Sequence, residues 1–142
     1  MQQRDGHLIF SPSDLNAFLE CEHLTRLELE VTRGLRSRPA VDNPQARLIQ
    51  AKGEEHERRY LDALRADGKR VVTIDRGGGG AGGGGWELER AASDTLAAMR
   101  SGADVVFQAV LLGEGWRGFA DFLERVETPS DLGSWSYEVA DT

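Results

Sequence analysis

The chain is expected to fold as a mixed α/β (α+β) protein, with a sheet built on a three-strand meander and flanked by helices. Three observations lead to that expectation. Two segments with helical periodicity precede the first strand-like run, a third such segment follows it, and three β-type runs close the chain at 104–112, 116–126 and 136–141. With 142 residues, a single domain over 1–142 is the default, long enough to bury a core.

The elements follow in order. Ser11-Pro12-Ser13-Asp14-Leu15 is a helix start, with Ser11 able to cap and Pro12 suited to the first turn. Phe10, Leu15, Phe18, Leu19, Leu24, Leu27 and Val31 then recur at roughly helical spacing, so one N-terminal helical segment is expected over 10–34, ending at Gly34. Cys21 falls inside that run and reads as a buried structural cysteine. After a linker at 35–43, Asn43-Pro44 opens a second helix over 44–67 that Gly68 ends. On it Ile49, Gly53, His56, Tyr60 and Leu64 share one face, which turns His56 inward. The sheet core is expected over 69–142. It holds a strand at 69–75, a glycine-rich loop at 77–85, a helix from about Glu87 to Arg100 that Gly102 ends, and then the meander. Gly113-Glu114-Gly115 supplies a tight hairpin turn within the meander.

Composition narrows the classes. Hydrophobic residues at 39% and charged residues at 29% fit a globular protein and argue against wholesale disorder. No apolar run approaches the roughly 20 residues of a membrane span, and the N-terminus does not read as a secretory signal. The lone Cys21 excludes an internal disulfide, so a cytoplasmic location is the simplest expectation. The net charge of −7 is unevenly placed: residues 1–70 carry 12 basic and 12 acidic side chains, residues 71–142 carry 5 and 12. An acidic half suits a cation site acting on a polyanion, and it equally suits an ordinary acidic surface.

Within that half, Asp121 and Asp141 each sit among apolar residues of a strand-like run. A carboxylate in that setting is costly unless a cation, a metal or hydrogen bonds compensate it. Strand alternation places Phe119, Asp121 and Leu123 together, and Tyr137, Val139 and Asp141 together, with Glu138 on the opposite face. Two adjacent carboxylates repel unless a cation lies between them, and oxygen ligands suit Mg²⁺ or Mn²⁺. An inward His56 would be a possible third ligand.

Gly118-Phe119-Ala120-Asp121, followed by Tyr137-Glu138-Val139-Ala140-Asp141-Thr142, resembles the core of the RecB-like nucleases of the PD-(D/E)XK superfamily. Their pattern is a Gly-x-x-Asp strand and then a strand bearing Asp/Glu-x-Lys. Phe10-Ser11-Pro12-Ser13-Asp14-Leu15 with Cys21 downstream is similar to that family's opening helix, and Lys52-Gly53-Glu54-Glu55-His56-Glu57 to its histidine-bearing helix. These segments stand in family order over 10–142, and they look most like the actinobacterial RecB-like nucleases that are often joined to a helicase. The resemblance implies a restriction-endonuclease-like core and a DNA nuclease acting in repair or recombination. It makes His56, Asp121 and Asp141 the metal and catalytic residues, Mg²⁺ or Mn²⁺ the cofactor, and DNA and a helicase the partners. The family lysine would stand just past Thr142, so the chain reads as an N-terminal fragment, inactive or impaired alone. Cys21 corresponds to one ligand of an iron–sulfur cluster that some members carry, and four thiolates are needed.

Two rival readings remain. The first is a degenerate, non-catalytic nuclease fold that binds DNA or a helicase. The second is a nucleotide-binding βαβ unit, because Gly77, Gly79 and Gly82 formally satisfy G-x-G-x-x-G. Nearly any glycine pattern fits that tract, bulky Trp86 follows it, and no ribose-binding acid ends the next strand, so a low-complexity loop accounts for it better.

Overall fold

The computed structural model describes residues 1–4, 6–39, 43–77 and 85–140. The described residues form four helices, a four-stranded mixed sheet and a separate two-stranded hairpin. The chain divides into two compact units: Met1–Asp42 with Leu112–Gly118, and Asn43–Leu111 with Phe119–Thr142.

In the first unit, β1 (Gln2–Arg4) and β2 (His7–Ile9) pair antiparallel, and the connection between them holds Gly6 at φ 80°. The expected single helix over 10–34 is two, α1 (Pro12–Glu20) and α2 (Glu22–Thr32). Cys21 separates them. Its backbone is extended (φ −165°, ψ 111°), its N–H closes α1 on the Ala17 carbonyl, and its carbonyl accepts from Leu24 N–H to open α2. Cys21 is exposed, which corrects the expectation of a buried structural cysteine. No residue of either helix is buried, and Leu19 is 73% exposed. Phe10 packs against Trp116 at 5.6 Å between ring centroids, and these two line a cavity of about 190 Å³ with Met1, Asp14, Leu15, Phe18 and Thr25.

The start of α1 is pinned by charge. Asp14, at the third helical position, accepts hydrogen bonds from the N–H and Oγ of Ser11, both at 2.7 Å, and pairs with the Met1 ammonium. Burial raises the Asp14 pKa, but these hydrogen bonds and the ammonium charge outweigh it, and the net shift is downward. A carboxyl whose folded pKa is depressed stabilises the fold above its unfolded pKa and loses that contribution as pH falls through the folded value. Asp14→Asn should therefore cost about 1 kcal/mol near neutral pH, the size of a lost cap, and cost progressively less in acid. Paired urea melts at pH 7 and pH 3 read this out, and an equal loss at both would refute the electrostatic account.

In the second unit, α3 (Pro44–Ala66) runs between the two ends its sequence signals. Asn43 Oδ1 accepts from the N–H groups of Gln45 and Ala46 at 3.1 and 3.2 Å. At the other end Gly68 adopts φ 77°, its N–H reaches the Arg65 carbonyl, and Lys69 N–H reaches that of Leu64, a Schellman closure. β3 (Val71–Thr73) pairs parallel with β4 (Val105–Gly113), and α4 (Gly85–Arg100) is the crossover a parallel pair requires. β4 turns through Glu114 (φ 50°) and Gly115 (φ 81°), residues that belong to the first unit, into β5 (Trp116–Val126). The two left-handed residues are those a tight hairpin calls for. β6 (Ser136–Ala140) pairs antiparallel with β5 from Val126 opposite Ser136 to Phe122 opposite Ala140, giving the strand order β3-β4-β5-β6.

The helices of this unit serve opposite sheet faces. Leu61 and Leu64 of α3 form a core cluster with Val105 and Phe122, joined by Tyr60, Val71, Phe107 and Ala140. Tyr137 has the opposite strand parity from Ala140 and bonds the other helix end, where its hydroxyl donates to the carbonyls of Ala103 and Met99 at 2.6 and 3.3 Å. α4 buries Leu88, Ala91, Thr95 and Ala98, while Leu96 is 40% exposed. No described helix is long and apolar enough to cross a membrane.

Candidate functional site

The geometry that matters begins where β3 stops. The parallel ladder ends with Ile74 N–H on the Phe107 carbonyl at 3.0 Å, and among the described residues no strand continues along that edge of β4. Buried backbone polar groups need partners, and two side chains supply them. Thr95 Oγ1 on α4 accepts from Val110 N–H at 3.0 Å. Arg76, just beyond β3, donates from Nε to the Gln108 carbonyl at 2.8 Å and from Nη2 to the carbonyls of Ala109 and Ala120 at 3.3 and 3.0 Å. One guanidinium thus grips three carbonyls on β4 and β5, and it also lies over the Phe119 ring at 5.1 Å.

Beneath that grip Gln108 adopts φ 60°, left-handed backbone at a non-glycine residue in the middle of a strand. This conformation costs about 1–2 kcal/mol and persists only where the surroundings hold it. A left-handed residue in a strand re-aims side chains, as bulges do. Burial along β4 records the break: Val105 and Val106 are buried, Phe107 and Gln108 are half-buried, and Ala109 and Val110 are buried again. The Gln108 amide donates from Nε2 to Glu57 Oε2 on α3 at 3.3 Å.

Glu57 is partly buried, and Asp121 on β5 stands close enough to act on it. Burial pushes the Glu57 carboxyl up and the Asp121 carboxylate pushes it further. Glu54 adds to the rise, while Arg76 and the Gln108 bond pull it back. Burial lowers the Arg76 pKa, and the two carboxylates oppose that effect. The charges of Glu57 and Asp121, from different elements, thus act on each other and on the half-buried Arg76 guanidinium. Arg76 and Gln108 also line a cavity of about 580 Å³, together with residues 73–75, Gly77 and Phe107. Two mutually repelling oxygen donors of this kind suit a hard divalent cation.

The residues singled out from sequence fare differently. Asp121 is half-buried between the buried Ala120 and Phe122, inside β5. His56 is exposed, and Ile49 on its expected face is 65% exposed; the inward face of α3 is Gly53, Glu57, Tyr60, Leu61 and Leu64. The expectation that His56 points inward is thereby corrected, and Glu57 occupies that place. The physical reason is that the residues of the first two turns of α3 are exposed, so Ile49 does not orient the helix. Asp141 lies outside the described residues, as does the glycine tract from Gly78 to Gly84. Among the described residues no three His, Cys, Asp or Glu side chains gather as a metal set. Glu138 faces Glu124 across the β5–β6 ladder, and the Tyr60 hydroxyl donates to Glu124.

Glu57, Arg76 and Gln108 escaped the sequence reading. Two signals for them were present: a polar Gln108 inside the apolar run Val105–Leu112, and Leu61, which fits the face of Glu57 and not that of His56. No protein-family model, curated protein or solved structure matches the chain.

Proposed function

We propose that the second unit is the cation-binding core of a RecB-like, metal-dependent DNA nuclease with a restriction-endonuclease-like fold. What supports this reading is that Glu57, from a helix, and Asp121, from a strand, act on each other and on a half-buried arginine through their charges. Asp121 belongs to the Gly-x-x-Asp segment on which the resemblance rests, and Asp141 belongs to the second segment of that resemblance. In this reading Asp121 and Asp141 hold Mg²⁺ or Mn²⁺, and Glu57 takes the place first expected for His56. The bound ion supplies charge stabilisation at a phosphate and an acidified water. Arg76 keeps the charge of Glu57 and Asp121 partly neutralised. DNA is the substrate and a helicase domain or subunit the expected partner.

A titration of the chain with Mn²⁺, followed by paramagnetic broadening of backbone amide signals, tests the cation site. Broadening should begin at Glu57, Asp121 and their neighbours. Mn²⁺ that broadens only unrelated acidic surface positions would remove the proposal. A second reading is favoured by the exposure of His56 and by the lack of a three-ligand set among the described residues: a non-catalytic module that binds DNA or a helicase. It is distinguished by DNA binding without Mg²⁺-dependent cleavage, in the chain and in a form extended past Thr142.

A further inference from the structure

We infer that Arg76 and Gln108 form a positioning device for the carboxylate site: Arg76 locks the left-handed turn of β4, and that turn delivers the Gln108 amide to Glu57 and fixes that carboxylate. The inference rests on the proposed cation site for its use, but its geometry stands apart from it. Three observations support it. Arg76 bonds the carbonyls of Gln108, Ala109 and Ala120, so it clamps the strained residue, the one after it and the adjacent strand at once. Gln108 carries the positive φ, a backbone state that glutamine does not adopt without support. Its side chain then reaches Glu57 on a different element, at 3.3 Å.

The chemistry requires arginine. A planar fork with five donors can serve several carbonyls in fixed directions, whereas lysine offers one compact ammonium. A charge-only role, neutralising Glu57 and Asp121, would be met by either residue. The groups facing Glu57 are Asp121 on β5, Arg76 after β3, Gln108 on β4 and Glu54 on its own helix. Of these, only Gln108 is bonded to it in a direction set by backbone strain.

The test uses the metal-free chain and the NMR signals of the Gln108 side-chain amide. In the parent chain these signals should be displaced from those of free glutamine and slow to exchange. In both Arg76→Gln and Arg76→Lys they should collapse to the free positions, while the amide signals of Val105, Val106 and Phe122 show the core intact. Unchanged Gln108 signals in Arg76→Lys would overturn the fork, since charge alone would then suffice. Should the arginine variants not fold, Gln108→Gly serves, because glycine accepts φ 60° at little cost. It should leave the fold intact, release Glu57 into rotamer averaging seen in its χ1 couplings, and require about tenfold more Mn²⁺ to broaden Glu57, the loss typical of an outer-shell partner. A Glu57 that keeps a single rotamer in Gln108→Gly would overturn the device. If Mn²⁺ leaves Asp121 unbroadened in the parent chain, the cation reading fails, and the metal-free signals alone decide the device.

Discussion

Asp121→Ala should lower the affinity of the site for Mn²⁺ by about 100-fold or more, while His56→Ala should leave it within about twofold. The first figure follows from what lesser changes do: losing an outer-shell partner of a metal ligand already costs about 10–100-fold, and Asp121 is argued to be a ligand itself. The second follows from position, since His56 is exposed and lies off the face of α3 that carries Glu57. Glu57→Ala should fall between the two and nearer to Asp121→Ala. In a chain extended past Thr142, Mg²⁺-dependent DNA cleavage should vanish with Asp121→Ala. The fold should survive, because removing this carboxylate ends its repulsion of Glu57 while also ending its attraction to Arg76, two changes of opposite sign. The net effect on stability is expected within about 1 kcal/mol. Mn²⁺ binding measured by calorimetry across the three variants decides the matter. Affinity lost with His56→Ala and kept with Glu57→Ala would restore the histidine to the site and remove the glutamate.

The contrast between His56 and Glu57 shows which features the sequence could reveal. The ends of α3 were legible because caps are local: Asn43, Pro44 and Gly68 act through hydrogen bonds and dihedral angles within a few residues. The β4–β5 turn was legible for the same reason, and so was the meander. The rotation of α3 about its axis was not, because it depends on what the helix packs against. Ile49 and Leu64 suggest one face, Leu61 and Leu64 another, and only the core of Val105 and Phe122 chooses between them. The break at Cys21 was hidden because the helical periodicity continues through it on both sides. The β1–β2 hairpin did carry a sequence signal, Asp5-Gly6, in strands too short for their alternation to register. Arg76 was beyond reach in principle. Its importance arises from the end of the β3 ladder at Ile74, a tertiary event that no property of residue 76 announces.

Phe122→Ala should be the most destabilising single change in the second unit, costing about 3–5 kcal/mol. Phe122 is fully buried, meets Tyr60 edge-on at 5.0 Å with an 85° interplanar angle, and meets Phe107 at 4.9 Å. Truncation removes the transfer energy of the ring, both aromatic contacts, and the surface against which Leu61 and Leu64 seat α3. For a domain with a typical 5–15 kcal/mol of net stability, that is a large share, and the urea midpoint should fall accordingly. Phe122→Leu keeps most of the volume and should cost roughly 1–1.5 kcal/mol. The pair also bears on the site, because Phe122 adjoins Asp121 and its neighbour Tyr60 lies one helical turn from Glu57 on α3. Phe122→Leu should therefore weaken Mn²⁺ binding by more than its stability cost alone explains, since a shift of α3 against the sheet moves Glu57 relative to Asp121. Trp135, whose Nε1 donates to the Met99 carbonyl at the end of α4, gives an intrinsic fluorescence reporter on the opposite sheet face once Trp86 and Trp116 are replaced by phenylalanine. Its transition should coincide with the far-ultraviolet circular dichroism of the helices in both variants. A Phe122→Ala chain that loses less than about 1 kcal/mol would mean that α3 is held by something other than this core. The proposed placing of Glu57 beside Asp121 would then lose its physical basis.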